Sequence, residues 1–421
     1  MPRHSRLAAF ARGLAAIVLA VAIAVPAMAA NPIKIGFAMS LTGGLAVNGK
    51  AALVAMQIWR DDQNAKGGLL GRQVEFVYYD DQSNPSNVPG IYTKLLDVDK
   101  VDLVVGPYAT AEIAPAMPVV MQHKMAFLGL MGLAVNSEFH YPRYFAMIPS
   151  GPNPKSSFTK GLFDIAMKQT PKPKTIAIVA ADQEFAIHAS DGARQNAKAA
   201  GLKVVYDKTY PPSTTDYTPI VRAINATNPD ILIICSYPPD SVGMTRALNE
   251  VGTKAKLIGG AMVGLQATAI KMQLGPLLNG IITYDFWQPA KTMDFPGVGA
   301  VLKKYQAKAK SAGVDPLGYY MAPASYAYLQ ILADAVEATK GLDQEKLAEY
   351  MHKTTFHTVF GDIKFGEDGE WAKARMLMVQ FQGINGNDIG QFEDPKKTVI
   401  LDPAPFKSGD IIYPYASAKK K

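Results

Sequence analysis

The chain has 421 residues, of which 48% are hydrophobic and 19% are charged, and its formal net charge is +7. This length exceeds what one ordinary hydrophobic core accommodates, so it predicts two domains. The sequence has no basic stripe with interleaved aromatic residues, and we therefore expect no nucleic-acid partner. A single cysteine, Cys235, excludes an internal disulfide.

The first 29 residues have the pattern of a secretory signal peptide. Three arginines precede an uninterrupted apolar run at 14–25, and Pro26-Ala27-Met28-Ala29 follows with small residues in A-x-A spacing. The apolar run is shorter than the roughly 20 residues that a membrane-spanning helix needs. We therefore expect cleavage after Ala29 and an exported, periplasmic protein that begins at Ala30.

After the signal peptide, short apolar runs alternate with amphipathic stretches. The apolar runs of the first half predict strands at 33–39, 74–79, 101–105 and 125–130. The amphipathic stretches between them predict helices at 51–64, 88–97 and 111–123. This alternation is typical of βαβ units, which form a mostly parallel sheet with helices on both faces.

A proline- and glycine-rich pause at 148–154 separates this half from a second stretch with the same rhythm. The second stretch predicts strands at 175–180, 203–206, 231–235 and 256–258, with helices at 186–200, at 216–227 and after Pro239. Beyond Trp287 the pattern predicts helices at 298–312, 319–339 and 344–352, then strands at 362–365 and 375–381. The predicted fold is therefore α/β, with two Rossmann-like lobes and a ligand cleft between them.

The sequence lacks the motifs of the common enzyme classes. It contains no G-x-S-x-G, H-E-x-x-H, G-x-x-x-x-G-K-[ST] or dinucleotide-binding glycine pattern. Its histidines are scattered without metal-ligand spacing, and Cys235 has no base beside it in the sequence. We therefore expect a protein that is not an enzyme and that holds neither a metal nor a cofactor.

The loops that follow the predicted strands are expected to face the cleft, because ligands of open α/β sheets bind beyond the carboxyl ends of the strands. These loops carry aromatic and methionine side chains, which are typical of a pocket for a small, partly apolar ligand. They include Tyr108, Met131, Phe185, Tyr237 and Met262. The alternative is that such side chains only pack the lobes together. Thr110 stands where a buried strand turns into a helix, a place suited to binding an anion.

A series of local sequences supports a more specific interpretation. In chain order they are Ile33-Lys34-Ile35-Gly36, Ser40-Leu41-Thr42-Gly43, Asn64-Ala65-Lys66-Gly67-Gly68-Leu69-Leu70-Gly71, Tyr79-Asp80-Asp81, Val104-Val105-Gly106, Pro229-Asp230, Phe360-Gly361-Asp362 and Phe365-Gly366-Glu367-Asp368-Gly369. In this order the chain resembles the type I periplasmic substrate-binding proteins of branched-chain amino acid ABC importers, the leucine/isoleucine/valine-binding group. The resemblance covers essentially all of the chain after the signal peptide.

The resemblance implies two lobes joined by three crossovers, hinge closure on a ligand and delivery of that ligand to a membrane permease. It places residues 30–149 and 288–356 in the first lobe and residues 150–287 and 357–421 in the second. The crossovers would lie near 148–153, 285–289 and 356–360. We expect a monomer whose partners are a small-molecule carboxylate and the permease.

Transfer of the family's amino-acid pocket to this sequence matches only part of it. Thr110 keeps the hydroxyl that receives the ligand α-carboxylate, and Tyr237 and Phe185 keep two aromatic positions. The second hydroxyl is lost at Met131-Gly132-Leu133, and the acid that pairs with the ligand ammonium is lost near Ala261-Met262. The predicted ligand-binding residues are Asn48, Tyr108, Ala109, Thr110, Met131, Gly132, Leu133, Phe185, Tyr237, Ala261, Met262 and Asp285.

These departures predict the ligand class. An ammonium buried without a carboxylate would cost several kcal/mol, whereas the anion-binding helix start at Thr110 is retained. We therefore expect a carboxylate without an α-amino group, with an aromatic acid favoured. The alternative is a branched-chain or other hydrophobic amino acid, whose ammonium would pair with Asp285. The sequence also leaves open the possibility of a free binding protein that reports to a membrane sensor.

Overall fold

The computed structural model of the protein describes residues 31–419, so the predicted signal peptide at 1–29 lies outside the described part of the chain. The strands are β1 (Ile33–Met39), β2 (Val74–Asp80), β3 (Leu103–Val104), β4 (Phe127–Gly129), β5 (Tyr144–Ala146), β6 (Thr175–Ala181), β7 (Lys203–Tyr210), β8 (Ile231–Ser236), β9 (Leu257–Met262), β10 (Ile282–Asp285), β11 (Thr355–Thr358), β12 (Gly361–Lys364), β13 (Leu377–Phe381) and β14 (Thr398–Asp402).

The helices are α1 (Ala46–Ala65), α2 (Val88–Thr93), α3 (Thr110–Gln122), α4 (Asn136–Phe139), α5 (Pro154–Ala166), α6 (Glu184–Ala199), α7 (Thr218–Ala226), α8 (Pro238–Val251), α9 (Thr268–Leu274), α10 (Val298–Ala312), α11 (Ala322–Thr339), α12 (Gln344–Lys353), α13 (Gly390–Glu393) and α14 (Tyr415–Ala418). None of the helices within residues 31–419 is long and apolar enough to cross a bilayer.

The first lobe is built around the parallel strands β1 to β5. β1 pairs with β2 on one side and with β3 on the other, and β4 pairs with β5. A bridge between Tyr108 and Leu130 joins the segment after β3 to the end of β4. Helices α10 and α11 pack against α1, and α2 packs against α3. The carboxyl ends of these strands therefore lie along one edge.

The second lobe contains a seven-stranded sheet in the order β14-β13-β10-β9-β8-β6-β7. Strands β6 to β10 are parallel, whereas at one edge β13 pairs antiparallel with β10 and β14 pairs antiparallel with β13. Every residue of β8 and β9 is buried, as expected for central parallel strands covered on both faces. The two lobes confirm the predicted α/β architecture, although the sequence analysis did not predict β5, β10, β11 or β14.

The chain returns to the first lobe for a long segment after β10. The Gly369 carbonyl accepts a hydrogen bond from the Ala146 amide, and the Trp371 indole donates to the Ala146 carbonyl. These contacts hold residues 365–371 beside β5, so they favour a third crossing later than the predicted boundary at 356/357. The boundaries at 149/150 and 287/288 stay predictions.

Arg375 contacts several segments near the places where the chain passes between the lobes. Its amide donates to the Pro149 carbonyl at 2.7 Å, and its guanidinium donates to the Phe360 carbonyl at 2.5 Å. The guanidinium also lies 5.0 Å from the ring centre of Phe295 and 4.9 Å from that of Trp371. Arginine stacks well on aromatic faces because its planar charge is weakly hydrated. Burial lowers the pKa of Arg375 to about 10.

Helices α5 and α6 cross closely at Gly192, and this contact yields a stability prediction. A Cβ at Gly192 would overlap the carbonyl of Lys155, whereas a Cβ at Gly299 in α10 would meet no atom within 4 Å. We expect Gly192→Ala to lower the free energy of unfolding by about 1–3 kcal/mol. Gly299→Ala should raise it by about 0.5–1 kcal/mol, because alanine is the better helix former. Urea denaturation of both variants measures the difference, and equal effects would contradict the close crossing.

Candidate ligand-binding cleft

A cavity of about 380 Å³ lies between the two lobes. In the first lobe its walls are the loops after β1 and β2 and the first turn of α3, which includes Ala111 and Glu112. In the second lobe they are the loops after β6, β7 and β8, which include Tyr237. All of these loops follow the carboxyl ends of parallel strands, where α/β folds bind their ligands. The cavity is therefore the candidate entrance to a ligand site.

The start of α3 is shaped by an unusual backbone conformation at Ala109. This residue has φ +82° and ψ 152°, a region that is nearly restricted to glycine and that costs about 1–3 kcal/mol. The conformation lets the helix begin at Thr110, whose side chain is buried. Thr110 Oγ1 accepts a hydrogen bond from the Leu133 amide at 2.9 Å. Because the oxygen is the acceptor there, the hydroxyl hydrogen is left to donate to a ligand anion.

An aromatic cluster fills the space behind the cavity. The Phe185 ring centre lies 6.0 Å from that of Tyr237 and 6.4 Å from that of Tyr284, in edge-to-face and tilted geometries. The Phe185 amide also donates to the Tyr237 hydroxyl at 3.2 Å. Phe158 and Phe286 complete the cluster against Tyr284. Such pairs add about 0.5–1.5 kcal/mol each beyond their buried area, so the cluster is a rigid apolar support for Tyr237, which lines the cavity.

Buried hydroxyl groups form two hydrogen-bonded pairs. In the first pair, Asn48 Nδ2 donates to the Tyr108 hydroxyl at 2.8 Å. The hydroxyls of Tyr320 and Tyr284 are 3.0 Å apart. All four side chains are buried, and burial raises the pKa of Tyr108 to about 12. The tyrosines are therefore neutral hydrogen-bonding groups at physiological pH.

The positions where the sequence predicts a loss of polar partners are apolar and buried. Ala261 and Met262 end β9 and have no exposed surface. Met131 has φ +64° and is also buried. A Cβ at Gly132 would meet the Tyr144 hydroxyl, so this glycine faces the interior of the first lobe rather than the cleft.

Asp285 is buried at the end of β10 with its own protein partners. Its Oδ1 accepts from the Phe286 amide at 2.8 Å, and its Oδ2 accepts from Gln288 Nε2 at 2.5 Å. Burial raises the pKa of Asp285 to about 6, and the buried Lys271 opposes that rise. Both carboxylate oxygens are therefore engaged without a ligand.

Two other acids border the cleft from opposite lobes. Glu112, in the first turn of α3, is 1% exposed, and its Oε2 has no hydrogen-bond partner within residues 31–419. Burial raises its pKa to about 8, and the neighbouring Asp81 and Glu184 contribute to the rise. Glu184 begins α6, and burial followed by the charge of Glu138 raises its pKa to about 7. In the part of the chain that the structure describes, no group of three or more acids, histidines or cysteines could hold a metal ion.

All twelve predicted site residues are buried, but the structure distributes them unevenly. Tyr237 lines the cavity, Asn48 and Tyr108 are hydrogen-bonded to each other, and Thr110 contacts Leu133. The sequence analysis missed Glu112, Glu184 and Tyr320. One signal could have located Tyr320. Pro323 stands in the first turn of α11, and proline at such a position marks the start of a helix. The helix therefore begins at Ala322, and Tyr320 lies in the loop before it.

The burial of Glu112 yields a prediction about stability and pH. Its pKa of about 8 lies above the ordinary value of 4.5, so the folded protein keeps a proton that the unfolded chain releases between these pH values. Stability contributed by this proton is complete below about pH 4.5 and is lost as the pH rises to 8. We expect Glu112→Gln to unfold like the parent at pH 5 and to be at least about 1.4 kcal/mol more stable at pH 8.

Urea denaturation at both pH values measures this effect. Glu250→Gln, at an exposed position of α8, is the matched control and should change stability little at either pH. A Glu112→Gln variant that is no more stable than the parent at pH 8 would mean that the carboxyl has a partner or is hydrated.

Comparison with known proteins agrees with this architecture. The protein is 26% identical over 361 residues to "Leu/Ile/Val-binding protein homolog 8" of Brucella abortus, a match that covers 83% of this chain and 88% of the relative. Among solved structures it resembles the branched-chain amino acid transporter substrate binding protein LivJ of Streptococcus pneumoniae in complex with isoleucine. That match has a TM-score of 0.72 and 20% identity, and it covers 89% of this chain and all of the other.

A second solved structure is similar to the same degree. It is a solute binding protein of an ABC transporter from R. palustris in complex with benzoate, with a TM-score of 0.74 and 18% identity over 90% of this chain and 98% of the other. Identities this low establish the shared fold and no more. The family model described as "Periplasmic binding protein" matches residues 32–387, most of the chain, and the protein belongs to that family.

Proposed function

We propose that this protein is the periplasmic solute-binding component of an ABC importer and that it captures a small carboxylate, preferably an aromatic acid. Closure of the two lobes would bury the ligand, and a membrane permease would then receive it. Membership of the periplasmic binding protein family supports this role, and so does the similarity to named transporter binding proteins. The role is one of binding without catalysis, in a monomer exported by its signal peptide.

The observation that carries the ligand class is the asymmetry between the anion site and the ammonium site. Thr110 keeps a hydroxyl hydrogen free at the start of α3, where unpaired backbone amides also favour an anion. At the position of the family's acid the chain has Ala261 and Met262, and both oxygens of Asp285 already accept hydrogen bonds. A ligand carboxylate would thus be bound, whereas an α-ammonium would lack this partner.

The walls of the cleft support an aromatic rather than a purely aliphatic acid. Tyr237 lines the cavity and packs on Phe185, whose ring packs in turn on Tyr284, so the Tyr237 ring is a rigid partner for the flat ring of an aromatic acid. The benzoate complex of the R. palustris protein shows that this fold accommodates such a ligand.

One observation favours the second candidate, a branched-chain or other hydrophobic amino acid. Glu112 lines the cavity with an unpartnered carboxyl oxygen, and Glu184 lies close enough to influence it. An ammonium group that reached Glu112 would ionise this carboxyl and pair with it. The name of the Brucella relative points in the same direction.

A thermal-shift panel on the mature protein, refolded from denaturant to remove bound ligand, tests the two candidates. Leucine, isoleucine and valine are compared with benzoate, 4-hydroxybenzoate, coumarate and phenylacetate. A ligand at about one hundred times its Kd adds roughly 2.7 kcal/mol of stability, which shifts the unfolding midpoint measurably. We expect shifts with aromatic acids alone. Shifts with the amino acids alone would overturn the proposed ligand class, and Glu112→Gln would then be expected to abolish them.

The anion site is tested by substitution of Thr110. We expect Thr110→Val to raise the Kd of benzoate about 10- to 100-fold, because a hydrogen bond to a charged group contributes about 1.5–3 kcal/mol. Thr110→Ser keeps the hydroxyl and should bind within a few-fold of the parent. Isothermal titration calorimetry measures both. Equal affinities of the valine and serine variants would exclude Thr110 as the carboxylate partner.

A further inference from the structure

His188 on α6 spans the cleft. Its Nδ1 lies 2.9 Å from the Leu133 carbonyl oxygen, and its Nε2 lies 3.0 Å from Glu138 Oε1. His188 belongs to the second lobe, whereas Leu133 and Glu138 belong to the first. The imidazole is 7% exposed and Glu138 is 54% exposed, so the inner of the two contacts is well shielded from water.

The contact between His188 and the Leu133 carbonyl is connected to the anion site through Leu133 itself. The Leu133 residue that receives His188 at its carbonyl donates its own amide to Thr110 Oγ1 at 2.9 Å. Hydrogen bonds therefore connect Glu138 to His188, His188 to Leu133, and Leu133 to Thr110. A movement of α6 away from the first lobe would release the Leu133 carbonyl and loosen the loop that orients the Thr110 hydroxyl.

Hydrogen-bond chemistry defines the charge state that this arrangement needs. A backbone carbonyl and an ionised carboxylate are both acceptors, so both ring nitrogens must donate. A neutral imidazole donates from one nitrogen only, whereas an imidazolium donates from both. The charged side chains on the helices packed around His188 are of both signs: Glu138 on α4, Glu112 on α3, Glu184, Asp191, Arg194 and Lys198 on α6 itself, and Lys155, Lys160 and Asp164 on α5.

We propose that His188 is a positioning residue for ligand capture, which fastens the two lobes in the closed form and holds Leu133 so that the Thr110 hydroxyl faces the ligand carboxylate. The inference rests on the proposed function. It assigns His188 no contact with the ligand, so its loss acts through closure. Ligand dissociation should therefore change more than association, because dissociation requires the lobes to open.

The experiment measures the affinity and dissociation rate of benzoate at pH 6 and pH 8 with His188→Gln, with isoleucine as the probe if the panel selects amino acids. We expect the Kd to rise about tenfold, mainly through faster dissociation. The parent should bind more tightly at pH 6 than at pH 8, because both contacts of His188 are made only when each ring nitrogen carries a proton. The difference in Kd between the two pH values should be smaller in His188→Gln. Any pH dependence that remains in this variant comes from Glu112 and Glu184. Glu138→Gln should have a smaller effect, since a half-exposed ion pair contributes little.

His123 is a matched control. Its Nδ1 lies 2.9 Å from the Val119 carbonyl and its Nε2 lies 2.9 Å from Asp97 Oδ1, so it makes the same two kinds of contact within one lobe. We expect His123→Gln to leave the Kd and its pH dependence unchanged. An equal loss in the His123 and His188 variants, or an unchanged dissociation rate in His188→Gln, would overturn the proposal.

A failure of the proposed function can be distinguished from a failure of the His188 proposal. If no probe binds the parent protein, the ligand class is wrong and binding no longer reports on His188. Small-angle X-ray scattering of the ligand-free protein then tests closure alone. We expect a larger radius of gyration for His188→Gln than for the parent and for His123→Gln at pH 6, and equal radii would overturn the proposal.

Discussion

The structure depends on the requirement that polar groups buried between two closed lobes find partners. A buried donor or acceptor without a partner costs about 1–3 kcal/mol, so each polar group in the cleft must bond to the protein or to the ligand. Asn48 and Tyr108 meet the requirement with each other, Tyr284 meets it with Tyr320, and Asp285 meets it with Gln288. The Thr110 oxygen accepts a hydrogen bond from Leu133, but its hydroxyl hydrogen is left to donate. Under the proposed function, this remaining hydrogen is what a ligand carboxylate would use.

Glu112 and Glu184 are exceptions to this requirement. The Oε2 atom of each has no hydrogen-bond partner within residues 31–419, and the charges that act on Glu112 are those of other carboxylates. Such a carboxyl group either keeps its proton or, when it is ionised, needs a cation as its partner. The two outcomes correspond to the two candidate ligands: a neutral Glu112 tolerates a nearby ligand carboxylate, whereas an ionised Glu112 would repel it and attract an ammonium. The protonation state of one side chain thus links the chemistry of the cleft to its choice of ligand.

The sequence allowed the fold to be predicted well and the site only partly. Apolar runs such as Ile231–Cys235 identify strands because they are local, and the order of strands and helices defines the loops at one edge. Asp285 was a plausible ammonium partner by position, but its bonds to Phe286 and Gln288 depend on how the loop folds back on itself. The burial of Glu112 and the bonds of His188 to Leu133 and Glu138 depend on how the two lobes meet, and neither local periodicity nor spacing contains that information.

The contacts at the two sides of the cleft suggest how closure and binding become one event. At the hinge, Arg375 bonds to the backbone carbonyls of Pro149 in the first crossing and of Phe360 in the first lobe, so the segment at Arg375 moves together with both. At the opening, the Leu133 loop contacts Thr110 with its amide and the second lobe with its carbonyl. A ligand carboxylate that bonds to Thr110 therefore stabilises the loop to which the second lobe attaches. By thermodynamic reciprocity, attachment of the second lobe strengthens the bond to the carboxylate.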